Sequence, residues 1–267
     1  MPKLQINDIE LFYDIQGTGE PLLLIAGFSC DYSYWSLLMP LLASQYQVIR
    51  FDNRGIGRSS VPDSPYSIKQ MARDTAALVE KIGLDKVHIV GHSMGGQIAQ
   101  ELVLAYPEKV KSLILLSTWA KGDPLFNSVI ETWGDLPSKV DLKLYQKLVF
   151  PWIFTTTFYS IPGMIEKLIE WAVNYPLPPK AHGLYHQSRA ILASDTAEHL
   201  SDIHCSTLVV VGRQDILTPV RFSEQLAQGI PNAEFVVIES GGHGFLIESP
   251  DVMATVMVNF LGKLTEN

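Results

Sequence analysis

Val87-His88-Ile89-Val90-Gly91-His92-Ser93-Met94-Gly95-Gly96-Gln97-Ile98-Ala99-Gln100-Glu101-Leu102-Val103-Leu104-Ala105-Tyr106 is the stretch from which the rest of this chain can be read. Val87 to Val90 is a short apolar, β-rich run, and Met94 to Tyr106 has helical periodicity, so a buried strand passes directly into a helix. The joint is Gly91-His92-Ser93-Met94-Gly95, a Gly-x-Ser-x-Gly pentapeptide. A serine at the tip of so sharp a turn adopts strained backbone angles, and glycines on either side let strand and helix pass closely. The helix N-terminus beneath it directs N–H groups and positive dipole at developing negative charge. The pentapeptide alone is common; its strand-to-helix setting is what marks Ser93 as a nucleophile.

A serine hydroxyl needs a base, and that base needs an orienting carboxylate. Downstream, Leu208-Val209-Val210-Val211-Gly212-Arg213-Gln214-Asp215 puts Asp215 in the loop after a buried strand. Ser240-Gly241-Gly242-His243-Gly244 puts His243 in a glycine-rich loop after the run Glu234 to Ile238. Both loops leave the C-terminal edge of their strands, the edge that carries Ser93. The expected triad is therefore Ser93, Asp215 and His243. Asp123 is the rival for the acid position. His92 reads as structural, because neighbours across the turn point apart. His182 and His186 have the i, i+4 spacing of a metal pair, yet no third ligand accompanies them, and a solvated helix suits them better. Asp52, in Asp52-Asn53-Arg54-Gly55-Ile56-Gly57, reads as a loop brace; the Gly55-x-Gly57 there lacks the third glycine of a dinucleotide fingerprint. No metal or organic cofactor is expected.

Around these motifs, short apolar runs alternate with turns (Leu4 to Ile6, Leu11 to Ile15, Pro21 to Ile25), which predicts an antiparallel lead-in to a buried strand. Gln47 to Phe51, a helix Ile68 to Lys81 and a run Ser112 to Leu116 continue a βα alternation that resumes with Thr207 to Val211, a helix near Arg221 to Gly229 and a last helix Asp251 to Leu261. Strands apolar on both faces predict a parallel sheet covered by helices on both sides. Between the two halves, 119–204 reads as helical pieces broken by Pro124, Pro137, Pro151, Pro162, Pro176, Pro178 and Pro179. That segment holds twelve of the chain's 26 aromatic residues in under a third of its 267 residues. Either they form a small core of their own, or some, with Trp152, Phe154 and Phe158 foremost, line an apolar substrate pocket. Arg189, the one arginine of this segment, is a candidate anchor for a substrate carboxylate or else a surface residue.

Composition narrows the partners. With 47% hydrophobic and 18% charged residues the chain has ample material for one core. A formal charge of -8 and a pI near 5.3 repel phosphate backbones and anionic lipid, so neither nucleic acid nor a membrane is expected as a partner. The first residues lack the pattern of a secretory signal and no apolar run approaches the ~18 residues of a bilayer span, which points to the cytoplasm. Cys30 and Cys205 form no metal or redox motif and read as buried thiols.

Taken together, Gly91 to Gly95, Asp215 and His243 make the chain resemble the α/β-hydrolase superfamily over Leu11 to Leu261. The resemblance implies a mostly parallel eight-stranded sheet flanked by helices, with a core of 1–118 and 205–267 and an inserted helical cap or lid of 119–204. It also implies an oxyanion hole from the N–H groups of Met94 and of Phe28 in Ala26-Gly27-Phe28-Ser29. Many members have His-Gly where this chain has Ala26-Gly27, so a side chain that often braces that loop is missing. The implied activity is that of a carboxylesterase-like serine esterase, hydrolysing a small-molecule ester or lactone through an acyl-enzyme on Ser93. Alternatives are a small acidic substrate such as an enol-lactone or aminoacrylate, carbon–carbon hydrolysis, perhydrolysis, or a ligand receptor on the same fold. Serine at the nucleophile position separates the chain from epoxide hydrolases and haloalkane dehalogenases, which use aspartate there.

Overall fold

A computed structural model describes residues 2–265. Eight strands, β1 (Lys3–Ile6), β2 (Ile9–Gln16), β3 (Glu20–Ile25), β4 (Tyr46–Phe51), β5 (Val87–His92), β6 (Val110–Leu116), β7 (Ser206–Gly212) and β8 (Glu234–Ile238), form one sheet. Its order is β1-β2-β4-β3-β5-β6-β7-β8. The lead-in is antiparallel, β1 on β2 and β2 on β4, and every later pairing is parallel. The reading of Leu4 to Ile25 as an antiparallel lead-in holds, with one refinement: β4, not β2, is the neighbour that β3 meets on that side.

The helices are α1 (Met39–Leu42), α2 (Ile68–Lys81), α3 (Met94–Ala105), α4 (Pro124–Asp135), α5 (Leu142–Ile153), α6 (Thr156–Tyr159), α7 (Met164–Val173), α8 (Ala181–Leu192), α9 (Val220–Gly229), α10 (Phe245–Glu248) and α11 (Pro250–Thr265). Because side chains alternate along a strand, the parallel strands feed two separate cores. Leu23, Ile25, Ile89, Leu113, Leu115 and Val209 face one side, where Met71, Ile98 and Phe222 of α2, α3 and α9 cover them. Leu22, Leu24, Val90, Ile114, Leu116 and Val210 face the other, under Met39 of α1 and Met253, Met257 and Phe260 of α11. Two apolar faces on one strand explain why these runs show no polar alternation.

Helices α4 to α8 all fall between β6 and β7. Local chemistry starts them: Asp123 accepts the Phe126 N–H (2.8 Å) ahead of Pro124, and Asp141 accepts that of Leu144 (2.8 Å). Pro151 was expected to break a helix but lies inside α5, two residues before its end. A missing N–H costs one bond there, and the Phe154 N–H still closes the turn on Phe150 O at 3.0 Å.

The loop after β4 is anchored by a buried ion pair. Arg54 Nε donates to Asp74 of α2 at 2.8 Å, its Nη2 reaches Asp8 at 2.6 Å, and the Arg54 and Asp74 side chains are 1% and 3% exposed. Replacing Arg54 by Met would leave the Asp74 carboxylate buried without its cation, so urea unfolding should show a loss of about 3 kcal/mol or more. A loss under about 1 kcal/mol would mean that the carboxylate finds water.

Candidate active site

Ser93 stands between β5 and α3 at φ 55° and ψ −120°. A non-glycine residue with positive φ costs of order 1–3 kcal/mol and persists only where its surroundings over-determine it. Here they do: the Ser93 N–H donates to Leu116 O (2.9 Å), and its carbonyl accepts from Gly96 N (2.9 Å) and Thr118 Oγ1 (2.7 Å). The glycine at 95 is required by approach, since a β-carbon there would run into the Ile25 and Ala26 carbonyls. The turn is thus clamped against β3 and β6 together.

The edge of the sheet brings the two distant loops to this turn. His243 Nε2 lies 3.1 Å from Ser93 Oγ, and His243 Nδ1 lies 2.9 Å from Asp215 Oδ2. With the proton on Nδ1 toward Asp215, Nε2 is left to accept the Ser93 hydroxyl proton. The three residues are 7%, 3% and 3% exposed, so little water screens them. Asp215 also accepts the Leu217 and Thr218 N–H groups (3.0 and 2.8 Å) and the Thr218 hydroxyl (2.7 Å). These bonds aim one carboxylate oxygen at the imidazole and occupy the other.

Beside the serine runs the loop Ala26 to Ser29. A β-carbon at Gly27 would stand 3.1 Å from that of Ser93, so the loop lies directly against the nucleophile. Among the described residues neither the Phe28 nor the Met94 N–H donates to a protein acceptor. The bracing absent at Ala26 comes from another residue: buried Asn53 donates from Nδ2 to Ala26 O at 3.0 Å.

A family model described as the alpha/beta hydrolase fold matches residues 20–250. The chain belongs to the α/β-hydrolase family. Among its relatives, the RutD protein of Azorhizobium caulinodans, provisionally named a carbamate hydrolase, is 31% identical over the full length of both chains. A thermophilic esterase of Thermogutta terrifontis is 28% identical, with a TM-score of 0.87 over 99% of each chain. The enol-lactonase of Burkholderia xenovorans LB400 is 25% identical, with a TM-score of 0.89 over 98% of this chain and 100% of that one.

In this α/β-hydrolase the other candidates fall outside the reacting line. His92 does not bond to Ser93; its Nε2 donates to the His243 backbone carbonyl at 3.0 Å, and the rings lie 4.9 Å apart. Burial, then the nearby His243, pushes the His92 pKa well below the usual imidazole value, so it stays neutral beside the base. Asp123 caps α4 and pairs with Arg221, away from the histidine. His186 is buried and not solvated as expected, its ring against Tyr66 and its Nε2 3.6 Å from Asp63, while His182 approaches Val61 O. Among the described residues no His, Cys, Asp and Glu cluster could hold a metal, and no helix is long and apolar enough to cross a membrane. Both thiols are half-buried, and desolvation pushes Cys30 up to about 12.

Arg189 makes ion pairs of its own. Its guanidinium is already shared by Glu131 (3.0 Å) and Asp135 (2.7 Å) on α4, an i, i+4 pair facing α8. Phe154 and Phe158 stack at 4.9 Å within a separate core with Ile165 and Ile169, which favours their reading as internal packing. Phe154 also touches the histidine loop, because a β-carbon at Gly244 would meet its ring. Trp152 is half-buried against the main core.

Sequence reasoning did not single out Thr218 or Glu248. Glu248 accepts the Gly242 N–H (2.9 Å) with one oxygen and the Thr155 N–H (2.7 Å) with the other, while Gly244 N–H donates to Ile153 O (2.8 Å). The end of α5 is thereby fastened to both sides of His243. An acidic residue five positions after the histidine was the only signal in the sequence.

Asp52 braces loops as expected, accepting Tyr32 N–H and Arg58 N–H at 2.7 Å each. Burial outweighs those two bonds and pushes its pKa up to about 6. A carboxyl that holds its proton more tightly when folded contributes stability that is complete below about pH 4 and lost as pH rises through 6. The unfolding free energy of Asp52→Asn relative to wild type should therefore improve by up to about 3 kcal/mol between pH 4 and pH 7. A pH-independent difference in urea titrations would remove this account of Asp52.

Proposed function

We propose that the protein is a serine hydrolase that cleaves a small carboxylic ester or lactone through an acyl-enzyme on Ser93. The observation that carries the reading is the unbroken hydrogen-bonded line from Asp215 Oδ2 through His243 to Ser93 Oγ, at 2.9 and 3.1 Å. Ser93 Oγ attacks the carbonyl carbon while His243 Nε2 takes its proton, and Asp215 stabilises the imidazolium that forms. The Phe28 and Met94 N–H groups receive the oxyanion, each worth roughly 10² to 10³ in rate. His243 then protonates the leaving alcohol, activates a water for attack on the acyl-enzyme, and the acid departs.

An uncharged, apolar acyl group suits the surroundings better than an acidic one. Phe28 stacks on Trp133 at 6.5 Å, and the one arginine of 119–204 is engaged by two carboxylates. A small acidic substrate such as an enol-lactone, which the likeness to the Burkholderia xenovorans enol-lactonase supports, would need another partner for its carboxylate. A second reading, cleavage of a carbamate, draws support from the full-length similarity to RutD. A carbamate presents the same carbonyl to the same serine.

Two experiments test this. Ser93→Ala should abolish labelling by a fluorophosphonate, and persistent labelling would sink the assignment. Asp215→Asn should fold and lose about 10³ to 10⁴ in turnover. A panel of p-nitrophenyl esters, a neutral lactone and an aryl carbamate then separates the readings, because turnover of the carbamate alone would favour the second.

A further inference from the structure

We propose that Gln187, on α8, is a positioning residue that holds the Phe28 N–H in place to receive the oxyanion. The inference rests on the acyl-enzyme reading above. Gln187 is fully buried. Its Oε1 accepts the Ser29 N–H at 3.1 Å, and its Nε2 donates to Arg54 O at 3.0 Å. Both ends of the amide are thus used, and both partners belong to loops that flank the nucleophile.

The Ser29 bond is placed where the loop needs it. Ser29 has φ 64°, a left-handed backbone that a serine adopts only under constraint. It directly follows Phe28, so relaxation of Ser29 toward negative φ would rotate the peptide plane next to the proposed donor. On the other side Ala26 O is held by Asn53. Asn53 adjoins Arg54, whose carbonyl Gln187 grips. Ala26, Gly27, Phe28, Ser29, Gln187, Arg54 and Asn53 therefore form a closed ring of covalent and hydrogen bonds, of which Phe28 is a member. Arg54 itself cannot drift, being paired to Asp74 and Asp8.

This gives the inserted helix a role in the chemistry rather than in covering it. An oxyanion donor contributes only if it waits at the right place before charge develops. A side chain that stabilises that place affects the tetrahedral state and leaves ground-state binding alone, and the two effects separate in kinetics.

Gln187→Met keeps the volume and loses both polar ends. For an ester that wild type turns over, kcat should fall about tenfold or more with KM within twofold. Affinity for an arylboronic acid, which becomes tetrahedral on Ser93, should weaken by the same factor, while the carboxylate product binds as before. Gln187→Glu keeps the acceptor for Ser29 but turns a second acceptor on the Arg54 carbonyl and adds negative charge near the oxyanion, so it should not restore the rate. Unchanged kcat and boronate affinity in Gln187→Met would overturn the proposal, as would equal losses in kcat and product binding. If Gln187→Met does not fold, Gln187→Asn carries the test: the shorter side chain withdraws both polar ends, and wild-type kcat and boronate affinity in it would overturn the role. A wild-type protein that neither cleaves the ester panel nor binds the boronate overturns the acyl-enzyme reading instead.

Discussion

The left-handed backbone of Ser93 is the constraint around which the site is arranged. A residue with φ 55° does not hold itself, and the strain of order 1–3 kcal/mol must be met by neighbours. They are Leu116 and Thr118 at the end of β6 and Gly96 in the first turn of α3, with β3 pressed against Gly95. Leu116 closes a parallel strand with two buried faces, Thr118 follows it directly, and both glycines lie in the first turn of the helix packed on that sheet. The sheet therefore does two things at once: its apolar runs supply the burial that stabilises the fold, and its edge supplies the rigid backbone groups that hold the Ser93 hydroxyl toward His243. A looser sheet would let Ser93 relax and withdraw its hydroxyl from His243.

The same edge sets the electrostatics. His243 and Asp215 sit on loops with no sequence proximity to Ser93, yet both are almost fully buried where they meet it. In so dry a place an incorrectly oriented imidazole would be costly, and every group around the pair reduces that freedom. Thr218 aims the carboxylate, Glu248 and Ile153 fasten the glycines on either side of His243, and His92 bonds the histidine's own carbonyl while staying neutral. A second imidazolium 4.9 Å away would oppose any positive charge on His243.

The helices between β6 and β7 are joined to this machinery by polar bonds at several separate points. Gln187 reaches the Ser29 loop, Tyr175 donates to Asp31 at 2.6 Å, and the end of α5 meets the histidine loop. Arg189, by contrast, turns toward its own layer and its two carboxylates. The segment thus contributes aromatic surface and hydrogen bonds near the serine, and its one guanidinium is spent within the insertion.

Local chemistry was enough to find the strand-turn-helix around Ser93, the buried parallel strands, the extent of α2 and the loops of Asp215 and His243. Each of these is written within a few adjacent residues, because glycines, apolar runs and their spacing constrain the backbone directly. The expectation of Phe28 and Met94 as oxyanion donors comes from resemblance to a family rather than from spacing. What the linear chain did not reveal depends on which surfaces meet. Gln187 is an ordinary helix residue until a loop 158 positions away offers it an N–H. The ion pairs of Arg189 with Glu131 and Asp135 form only once α4 packs on α8, and Phe154 and Phe158 meet each other only in the folded chain. The sequence by itself determined the fold and the candidate residues Ser93, Asp215 and His243. The tertiary structure alone decided what holds them there, since the partner of a buried polar group is whichever surface the packed fold brings against it.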